Sequence, residues 1–307
     1  MKTAANDNDG PLERPQNATL DAKLGVRFPV LDHGFVALID YMGNDAAIVQ
    51  AARISYGKGT KSARDDRGLI RYLMRHRHTT PFEMVEMKFL VRLPIFVARQ
   101  IIRHRTASVN EYSARYSVLS DDFFVPTLAA IQGQSETNKQ GRTGQIDAKS
   151  AKEFQKRIAQ VNQQSLDTYH WALEKGVARE LARLVLPVNS YTEWYWKIDL
   201  HNFLHFLTLR LDPHAQPETR AFATAMYSLV QDLCPVAFEA FEDFIREGVS
   251  LSKREQGALS RIMKGHDLDR ACVDSGLELE RAGKKLVTGE GPEFLKKLSQ
   301  IRASLDG

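Results

Sequence analysis

The chain has 307 residues, of which 43% are hydrophobic and 26% carry a charged side chain, and its formal net charge is +4 at pH 7. This composition supports a substantial core and favours one large domain with extensions over two equal domains. The small net charge argues against extended nucleic acid binding. No stretch is apolar enough to span a membrane, and Met1–Asn8 lacks the apolar core of a signal peptide. The two cysteines, Cys234 and Cys272, provide no disulfide framework, so we expect a cytoplasmic protein.

The N-terminal part of the chain combines a polar segment with two helical patterns. Residues 1–24 are rich in Asn and Asp and predict a flexible tail. Asn44 predicts the start of a helix that extends to Ser55, because a side-chain amide caps helix N-termini well. A second helix is predicted to begin at Asp65 or Asp66 for the same reason.

A strand and a helix are predicted next. Residues 85–93 alternate apolar and polar side chains at the strand period. Pro94 is suited to the first position of the helix that follows. On that helix Gln100 and Arg103 share one face, so a rigid element would direct an amide and a guanidinium to the same side.

Residues 103–117 form the most informative motif, a run of cations, hydroxyls, an amide and one carboxylate. Residues 108–111 are predicted to form a turn, and residues 112–118 a short strand with Ser113 and Arg115 on one side. Guanidinium groups pair bidentately with phosphate oxygens, so the motif indicates a site for a phosphate and a heterocycle. A solvated basic turn is the alternative interpretation.

The second half of the chain is predicted to be mainly helical. Residues 127–150 are polar and predict an exposed connection. Residues 154–173 repeat apolar side chains at helical spacing, and Pro217 opens a further helix that Pro235 interrupts. Residues 251–307 are highly charged with weak helical patterns, and we predict an extension of unassigned role.

Two histidines define a second polar group. Asp199 is suited to cap a helix on which His201 and His205 stand one turn apart. This spacing can bind zinc, but Asn202 occupies the position at which metalloproteases carry Glu, and no third ligand is evident. We therefore predict no metal site, and two structural helix histidines remain the alternative.

The motif at residues 103–117 resembles the signature of the flavin-dependent thymidylate synthases, R-H-R-x-x-S-x-N-E-x-S-x-R-Y. Its fixed positions are matched by Arg103, His104, Arg105, Ser108, Asn110, Glu111, Ser113, Arg115 and Tyr116. Further family landmarks occur in family order at Asp32–Val36, Met42–Asp45, His78–Glu83, Pro94–Gln100, Ala182–Pro187 and His214–Gln216. The resemblance covers roughly residues 30–247.

The resemblance implies an α+β fold in which an antiparallel sheet packs with long helices. It places the catalytic domain at residues 25–250 and leaves residues 251–307 as a C-terminal extension. It implies reductive methylation of dUMP to dTMP, with 5,10-methylenetetrahydrofolate as carbon donor, FAD as cofactor and NADPH as reductant. The family also implies a homotetramer whose sites are shared between subunits, with Arg210 acting across an interface. No Gly-x-Gly-x-x-Gly run occurs, so the FAD expectation rests on the resemblance alone.

Site residues follow from the same resemblance, position by position. Those expected to hold dUMP are Gln100, Ile101, Ile102, Arg103, Glu111, Tyr112, Ser113, Ala114, Arg115, Arg183 and Arg210. Those expected on the FAD side are His78, Thr80, Arg103, His104, Arg105, Ser108, Glu111, Asp199, Leu200, His201 and His205. Arg210 is the expected catalytic residue, because a guanidinium beside uracil stabilises negative charge on the ring.

Two side chains are candidate nucleophiles for a mechanism that differs from this flavin chemistry. Cys234 lies in an apolar Leu-Cys-Pro context and predicts a buried, unreactive thiol. Ser113 lacks an assured basic partner in sequence, which favours a binding role. Two alternative functions stay open: a non-catalytic nucleotide or RNA-binding module, and a flavoenzyme of the same fold that methylates another pyrimidine.

Overall fold

The computed structural model describes residues 16–54, 63–118, 120–135, 141–281, 284–287 and 289–303. Its helices are α1 (Ala18–Asp21), α2 (Asp45–Ile54), α3 (Ala63–Arg75), α4 (Ile95–Ile101), α5 (Ala148–Glu174), α6 (Arg179–Ala182), α7 (Leu200–Arg210), α8 (Pro217–Val230), α9 (Pro235–Phe241), α10 (Lys253–Met263), α11 (Leu268–Val273) and α12 (Glu290–Ala303). Its strands are β1 (Phe28–Val30), β2 (Gly34–Met42), β3 (Glu86–Pro94), β4 (Ser108–Glu111), β5 (Gln132–Gln134), β6 (Arg142–Gln145), β7 (Tyr191–Asp199), β8 (Glu280–Arg281) and β9 (Lys284–Lys285). None of the described helices is long and apolar enough to cross a membrane.

The chain divides into two compact units, one of residues 1–132 with 145–241 and the other of residues 133–144 with 242–307. The structural division at 241/242 therefore precedes the predicted end of the catalytic domain at 250. The larger unit is built on one antiparallel sheet with the strand order β1-β2-β3-β7-β4. This mixture of an antiparallel sheet and helices confirms the predicted α+β class.

The central strands β3 and β7 form the core of the sheet. β3 confirms the predicted strand, and its alternating side chains Met87, Phe89, Val91 and Leu93 are all buried. α7 packs on this face, where Phe203 stacks on Phe89 with ring centroids 5.8 Å apart and Phe206 meets Trp196 at 5.1 Å. Burial of these aromatic rings fixes the direction in which α7 crosses the sheet.

The predicted turn and strand after α4 were wrong in order. Residues 108–111 form β4, which pairs with β7 so that Ser108 lies opposite Lys197 and Glu111 opposite Trp194. Residues 112–118 instead form turns, in which the Ser113 carbonyl accepts from the Tyr116 amide at 3.0 Å. The free edge of β7 provides backbone partners for a polar segment, and this pairing overrides the turn propensity of its residues.

Several helix predictions are confirmed with shifted ends. Asn44 accepts from the Ala46 amide at 3.0 Å and caps α2, whose described part ends at Ile54. α3 begins at Ala63, before the predicted cap at Asp65 or Asp66.

The helices of the second half follow the predicted pattern, except that α5 begins before the predicted residue 154. α5 contains the predicted helix at residues 154–173 and begins at Ala148, so the predicted connection at 127–150 also holds β5 and β6. α8 begins at Pro217 and α9 at Pro235, as predicted. Residues 136–140 of the connection lie outside the described residues.

The predicted N-terminal tail is in part folded. Leu20 on α1 is fully buried. The Asn17 amide donates to the Tyr41 hydroxyl at 2.9 Å, and that hydroxyl donates to Asp21 at 2.6 Å. These contacts join residues 17–24 to β2, so this part of the expected tail belongs to the larger unit. Residues 1–15 lie outside the described residues.

The smaller unit has its own hydrophobic core. Its buried members are Ala258, Cys272, Leu277, Phe294 and Leu298. Ser252 and Glu255 form a capping box at the start of α10, in which each side chain bonds the other residue's amide. α10 and α12 match the weak helical patterns of the sequence, whereas α11 and the hairpin β8–β9 were not predicted.

Candidate active site

Arg210 ends α7, and its half-buried guanidinium is held by two groups of the same chain. Nε donates to Nε2 of His104 at 3.1 Å, and one Nη2 proton goes to the main-chain oxygen of Gln100 at 3.1 Å. A guanidinium has five N–H donors, so three remain for a ligand after these two contacts. Burial lowers the pKa of Arg210, but an arginine still stays protonated at neutral pH.

His104 is the neutral partner of this guanidinium. Its side chain is only 8% exposed, and its ring meets Phe206 edge-on at 5.0 Å. Burial, then the charge of Arg210 and then His205, lower the pKa of His104 from 6.5 to about 4. Because Nε2 accepts a hydrogen bond, the ring proton belongs on Nδ1. The ring expected on the FAD side is thus buried and directed at the expected catalytic arginine.

Gln100 is fixed by three contacts to α7 and α8. Its main-chain oxygen binds Arg210, and its side-chain Oε1 accepts from Thr219 Oγ1 at 3.2 Å. Its Nε2 donates to Oε1 of Gln216. The sequence placed Gln100 and Arg103 on one helical face, which is wrong, because α4 ends at Ile101 and Arg103 lies in the following turn.

Glu111 and the turn after it form a second part of the candidate site. Glu111 Oε1 accepts from the buried Thr192 hydroxyl at 2.7 Å, which fixes one carboxylate oxygen at the end of β4. Ser113 Oγ accepts from the Arg115 amide at 3.3 Å. The exposed guanidinium of Arg115 pairs with Glu180 on α6, with Nε 3.2 Å from Oε2.

Cavities next to Glu111 are small. Tyr112 lines two of them, one of about 180 Å³ that Glu111 and Asn110 border, and one of about 320 Å³ that Arg92 borders. Sites for drug-sized ligands usually enclose about 300–1,000 Å³. A dinucleotide therefore needs more enclosing surface than either cavity supplies.

The remaining dUMP candidates differ in exposure. Ile101 is fully buried and Ala114 nearly so, which leaves mainly their main-chain atoms for contact, whereas Ile102 is exposed. Arg183 is exposed and lies in the 3₁₀ turn Arg183–Val185, which packs against α5.

Some residues expected on the FAD side are exposed, and others are buried or held by hydrogen bonds. Exposed are His78, Thr80, Arg103, Arg105, Ser108 and His205. Neither Arg103 nor Arg105 makes an ion pair with any described residue, so both cations are available to a pyrophosphate. The chemistry of this donor set fits a flavin dinucleotide.

The remaining residues expected on the FAD side, other than His104 and Glu111, lie at the start of α7. Asp199 confirms the predicted cap, since Oδ1 accepts from the Asn202 amide at 2.9 Å and Oδ2 from its side chain at 2.7 Å. Leu200 is fully buried, and its amide donates to Val85. His201 is half-buried. Among the described residues, no group of three or more His, Cys, Asp or Glu is arranged to hold a metal.

Two contributors to this site, Thr192 and Gln216, could not be assigned their contacts from the sequence. Thr192 gives no signal in the sequence, because its role depends on the pairing of β4 with β7. Gln216 belongs to a family landmark, but its contact with Gln100 depends on how α8 packs against α4.

Comparisons with known proteins identify the family. A family model described as "Thymidylate synthase complementing protein" matches residues 37–236. The chain is 49% identical over 267 residues to the flavin-dependent thymidylate synthase of Gluconobacter oxydans, covering 86% of this chain and 88% of that protein. It is 51% identical over 264 residues to the flavin-dependent thymidylate synthase of Thermus thermophilus, covering 86% of this chain and 96% of that protein.

A solved structure supports the same assignment. The chain is similar to the UMP/dUMP methylase PolB from Streptomyces cacaoi bound with 5-Br dUMP, with a TM-score of 0.64 and 35% identity. The match covers 71% of this chain and 99% of PolB. Its fold and its sequence together show that this chain belongs to the flavin-dependent thymidylate synthase family.

Neutral His104 predicts a pH-dependent stability. Between pH 6.5 and about 4 the unfolded chain binds a proton at this ring and the folded chain does not, so the free energy of unfolding falls as the pH falls. The full effect is on the order of 3 kcal/mol. Urea unfolding at pH 6.5 and 4.5 should show a smaller loss in His104→Gln than in the wild type. Equal losses in both proteins would contradict a buried neutral imidazole.

Proposed function

We propose that this protein converts dUMP to dTMP with FAD as cofactor, 5,10-methylenetetrahydrofolate as carbon donor and NADPH as reductant. Membership of the flavin-dependent thymidylate synthase family supports the reaction. The observation that carries the proposal is the guanidinium of Arg210, held in place by a neutral His104 and by the main chain of Gln100.

Arg210 activates the uracil ring in this proposal. Its free N–H donors and its charge stabilise the negative charge that develops at N3 and the adjacent carbonyl, and the ring carbon becomes nucleophilic. A carboxylate at the position of His104 would orient the guanidinium equally well but would neutralise its field. A neutral imidazole supplies the orientation and leaves the full positive charge for the substrate.

Other residues of the motif hold the nucleotide. Arg115 and Arg183 are exposed cations that suit the phosphate of dUMP. Glu111 has one carboxylate oxygen fixed by Thr192, which leaves the other to accept from an N–H or a sugar hydroxyl. Ser113 makes no hydrogen bond to a His or Lys among the described residues, which supports binding rather than nucleophilic attack.

The proposed flavin contacts come from the turn after α4 and from the start of α7. Arg103, Arg105 and Ser108 would hold the phosphates, and His78 with His201 would border the rings. When bound, FAD supplies the redox chemistry that carries two electrons from NADPH to the transferred carbon. The protein's own residues position the pyrimidine for this transfer.

A cysteine nucleophile has no place in this reaction. Cys234 is fully buried before α9, and burial together with the charge of Asp45 raises the pKa of its thiol well above its usual range. A thiol in this environment is not ionised at neutral pH and has no access to a substrate.

A homotetramer with shared sites completes the proposal. Around Arg183 several large apolar side chains are exposed, namely Leu181, Leu184, Val185 and Val188. Such a group favours burial against a second copy of the chain, and it would carry Arg183 into a neighbouring site. The small cavities beside Tyr112 also need further surface to enclose a dinucleotide.

We also place the reaction in the cytoplasm and without a nucleic acid partner. Both cysteines are free and buried, which suits a reducing compartment. The net charge of +4 is small for 307 residues, which argues against an extended nucleic acid surface.

A second candidate substrate is UMP, because the solved relative is a methylase of UMP as well as dUMP. Turnover of dUMP, UMP and uracil measured side by side separates the two proposals. Preference for dUMP supports thymidylate synthesis, and preference for UMP supports methylation of the ribonucleotide.

Arg210→Ala should nearly abolish dTMP formation, by about a hundredfold or more, because it removes an electrostatic contact to the reacting ring. FAD content, measured by its visible absorption, should stay unchanged. Arg157→Ala, on the exposed surface of α5, is the matched control and should keep wild-type turnover. Activity of Arg210→Ala near that of the control would remove Arg210 from the reaction.

Cys234→Ala should retain turnover within about twofold, because the thiol is buried and protonated. The stability should fall modestly, by about 1 kcal/mol, through the lost packing volume. A variant that folds and binds FAD but makes no dTMP would instead demonstrate a thiolate mechanism.

Light scattering should give four times the chain mass of 34.7 kDa. Leu184→Asp places a charge in the exposed apolar group and should lower the measured mass and dTMP formation together. Ile54→Asp, at another exposed apolar position, is the control. A wild-type monomer with full activity would contradict shared sites.

A further inference from the structure

The family landmark His214–Gln216 contributes one side chain to the candidate site. Its last residue, Gln216, immediately precedes α8 and contacts the side chain of Gln100. Beyond Gln216 the hydrogen bonds continue, because its Nε2 donates to Glu218 Oε2 at 2.9 Å. A chain of hydrogen-bonded side chains therefore runs from the carboxylate of Glu218 on α8 to Gln100, a residue expected from the family resemblance to hold dUMP.

Each amide in this chain can in principle bind either way round, since the oxygen and nitrogen of a carboxamide have the same shape. Glu218 removes this freedom. An ionised carboxylate only accepts hydrogen bonds, so the NH₂ group of Gln216 must face Glu218 and its oxygen must face Gln100. The NH₂ group of Gln100 then faces Gln216, and its oxygen faces the hydroxyl of Thr219.

Glu218 is buried at the start of α8. It is the second residue of α8, where the positive end of the helix dipole stabilises a negative charge. The side chain is only 4% exposed and Thr219 is fully buried, so water has little access to compete for these bonds. Glu218 and Thr219 therefore anchor the hydrogen bonds at buried positions, and Gln100 and Gln216 between them are half-buried.

The direction of these hydrogen bonds determines how the carboxamide of Gln100 is oriented. The contacts to Gln216 and Thr219 occupy one Nε2 proton and one Oε1 lone pair of Gln100. One donor and one acceptor remain for a ligand, at positions that the chain fixes. A reversed carboxamide would present oxygen to a substrate carbonyl and would lose the hydrogen bond.

We propose that Glu218 is a positioning residue for dUMP, which sets, through Gln216, the direction in which the Gln100 carboxamide faces the nucleotide. The proposal rests on the proposed function, because Gln100 must contact dUMP. Glu218 itself touches neither the substrate nor the reacting atoms in this proposal. It acts only through the two amides.

The test is a double-mutant cycle on the FAD-loaded enzyme with dUMP affinity as the measurement. Glu218→Gln can donate as well as accept, so it releases the direction of the chain, and the dUMP dissociation constant should rise about tenfold. In a Gln100→Leu background the same change should shift the constant less than twofold, because the affected amide is absent. The KM for dUMP should rise, whereas kcat should stay within about twofold of the wild-type value.

Three results of this cycle would overturn the proposal. Equal effects of Glu218→Gln in both backgrounds would show that Glu218 acts elsewhere. An unchanged dUMP constant in Glu218→Gln would show that the direction of the amide is unimportant. An unchanged constant in Gln100→Leu alone would remove Gln100 from the dUMP site, and the site assignment would fail together with the positioning role.

Two further variants keep the test decisive. Gln216→Met breaks the middle of the chain without changing the buried carboxylate, and it should reproduce the loss of affinity if Glu218→Gln does not fold. Unchanged affinity in a folded Gln216→Met would equally overturn the proposal. Glu153→Gln, on the exposed surface of α5, is the matched control and should bind dUMP like the wild type.

Discussion

The antiparallel pairing of β3 with β7 is the constraint on which the candidate site depends. β3 leads directly into α4, and β7 leads directly into α7. Their register sets Pro94 opposite Tyr191 and Glu86 opposite Asp199, so the two helices begin at opposite ends of the same strand pair. α7 has 11 residues and runs for about 16 Å. It returns across the sheet until Arg210 reaches the end of α4.

Packing of α7 on the sheet turns this topology into a precise contact. Phe203 and Phe206 are fully buried against Phe89 and Trp196, and this close packing sets the position of α7 on the sheet. The same Phe206 meets the ring of His104 edge-on. The hydrophobic core therefore positions both partners of the hydrogen bond between His104 and Arg210. A guanidinium that is oriented without being neutralised suits a reaction whose difficulty is negative charge on an uncharged ring.

Much of the architecture could be predicted from sequence, because it depends on local patterns. The alternation at residues 85–93, the cap at Asp199 and the prolines at 217 and 235 each determine a strand or a helix end through neighbouring residues. The order of strand and turn after α4 could not be predicted, because β4 exists only through the free edge of β7. The nine-residue signature identified the family, yet the signature alone did not show that His104 faces inward.

The partners of the site residues depend on long-range packing. Thr192 contacts Glu111 across the sheet, and Gln216 contacts Gln100 between two helices that are over a hundred residues apart in sequence. No periodicity or motif spacing encodes such pairs. The fold of residues 17–24 was missed for the same reason, since a polar segment becomes ordered through the hydroxyl of Tyr41 on β2.

The central claim is that one site holds dUMP next to the flavin, and flavin spectroscopy tests it most directly. The protein is loaded with FAD, and the visible absorption is followed during anaerobic reduction by NADPH, with and without dUMP. A shared site predicts that the protein retains FAD and that dUMP changes the rate at which the flavin bands bleach, with faster bleaching expected. Failure to retain FAD, or identical bleaching in both samples, would contradict a coupled site and would favour a nucleotide-binding protein without this chemistry.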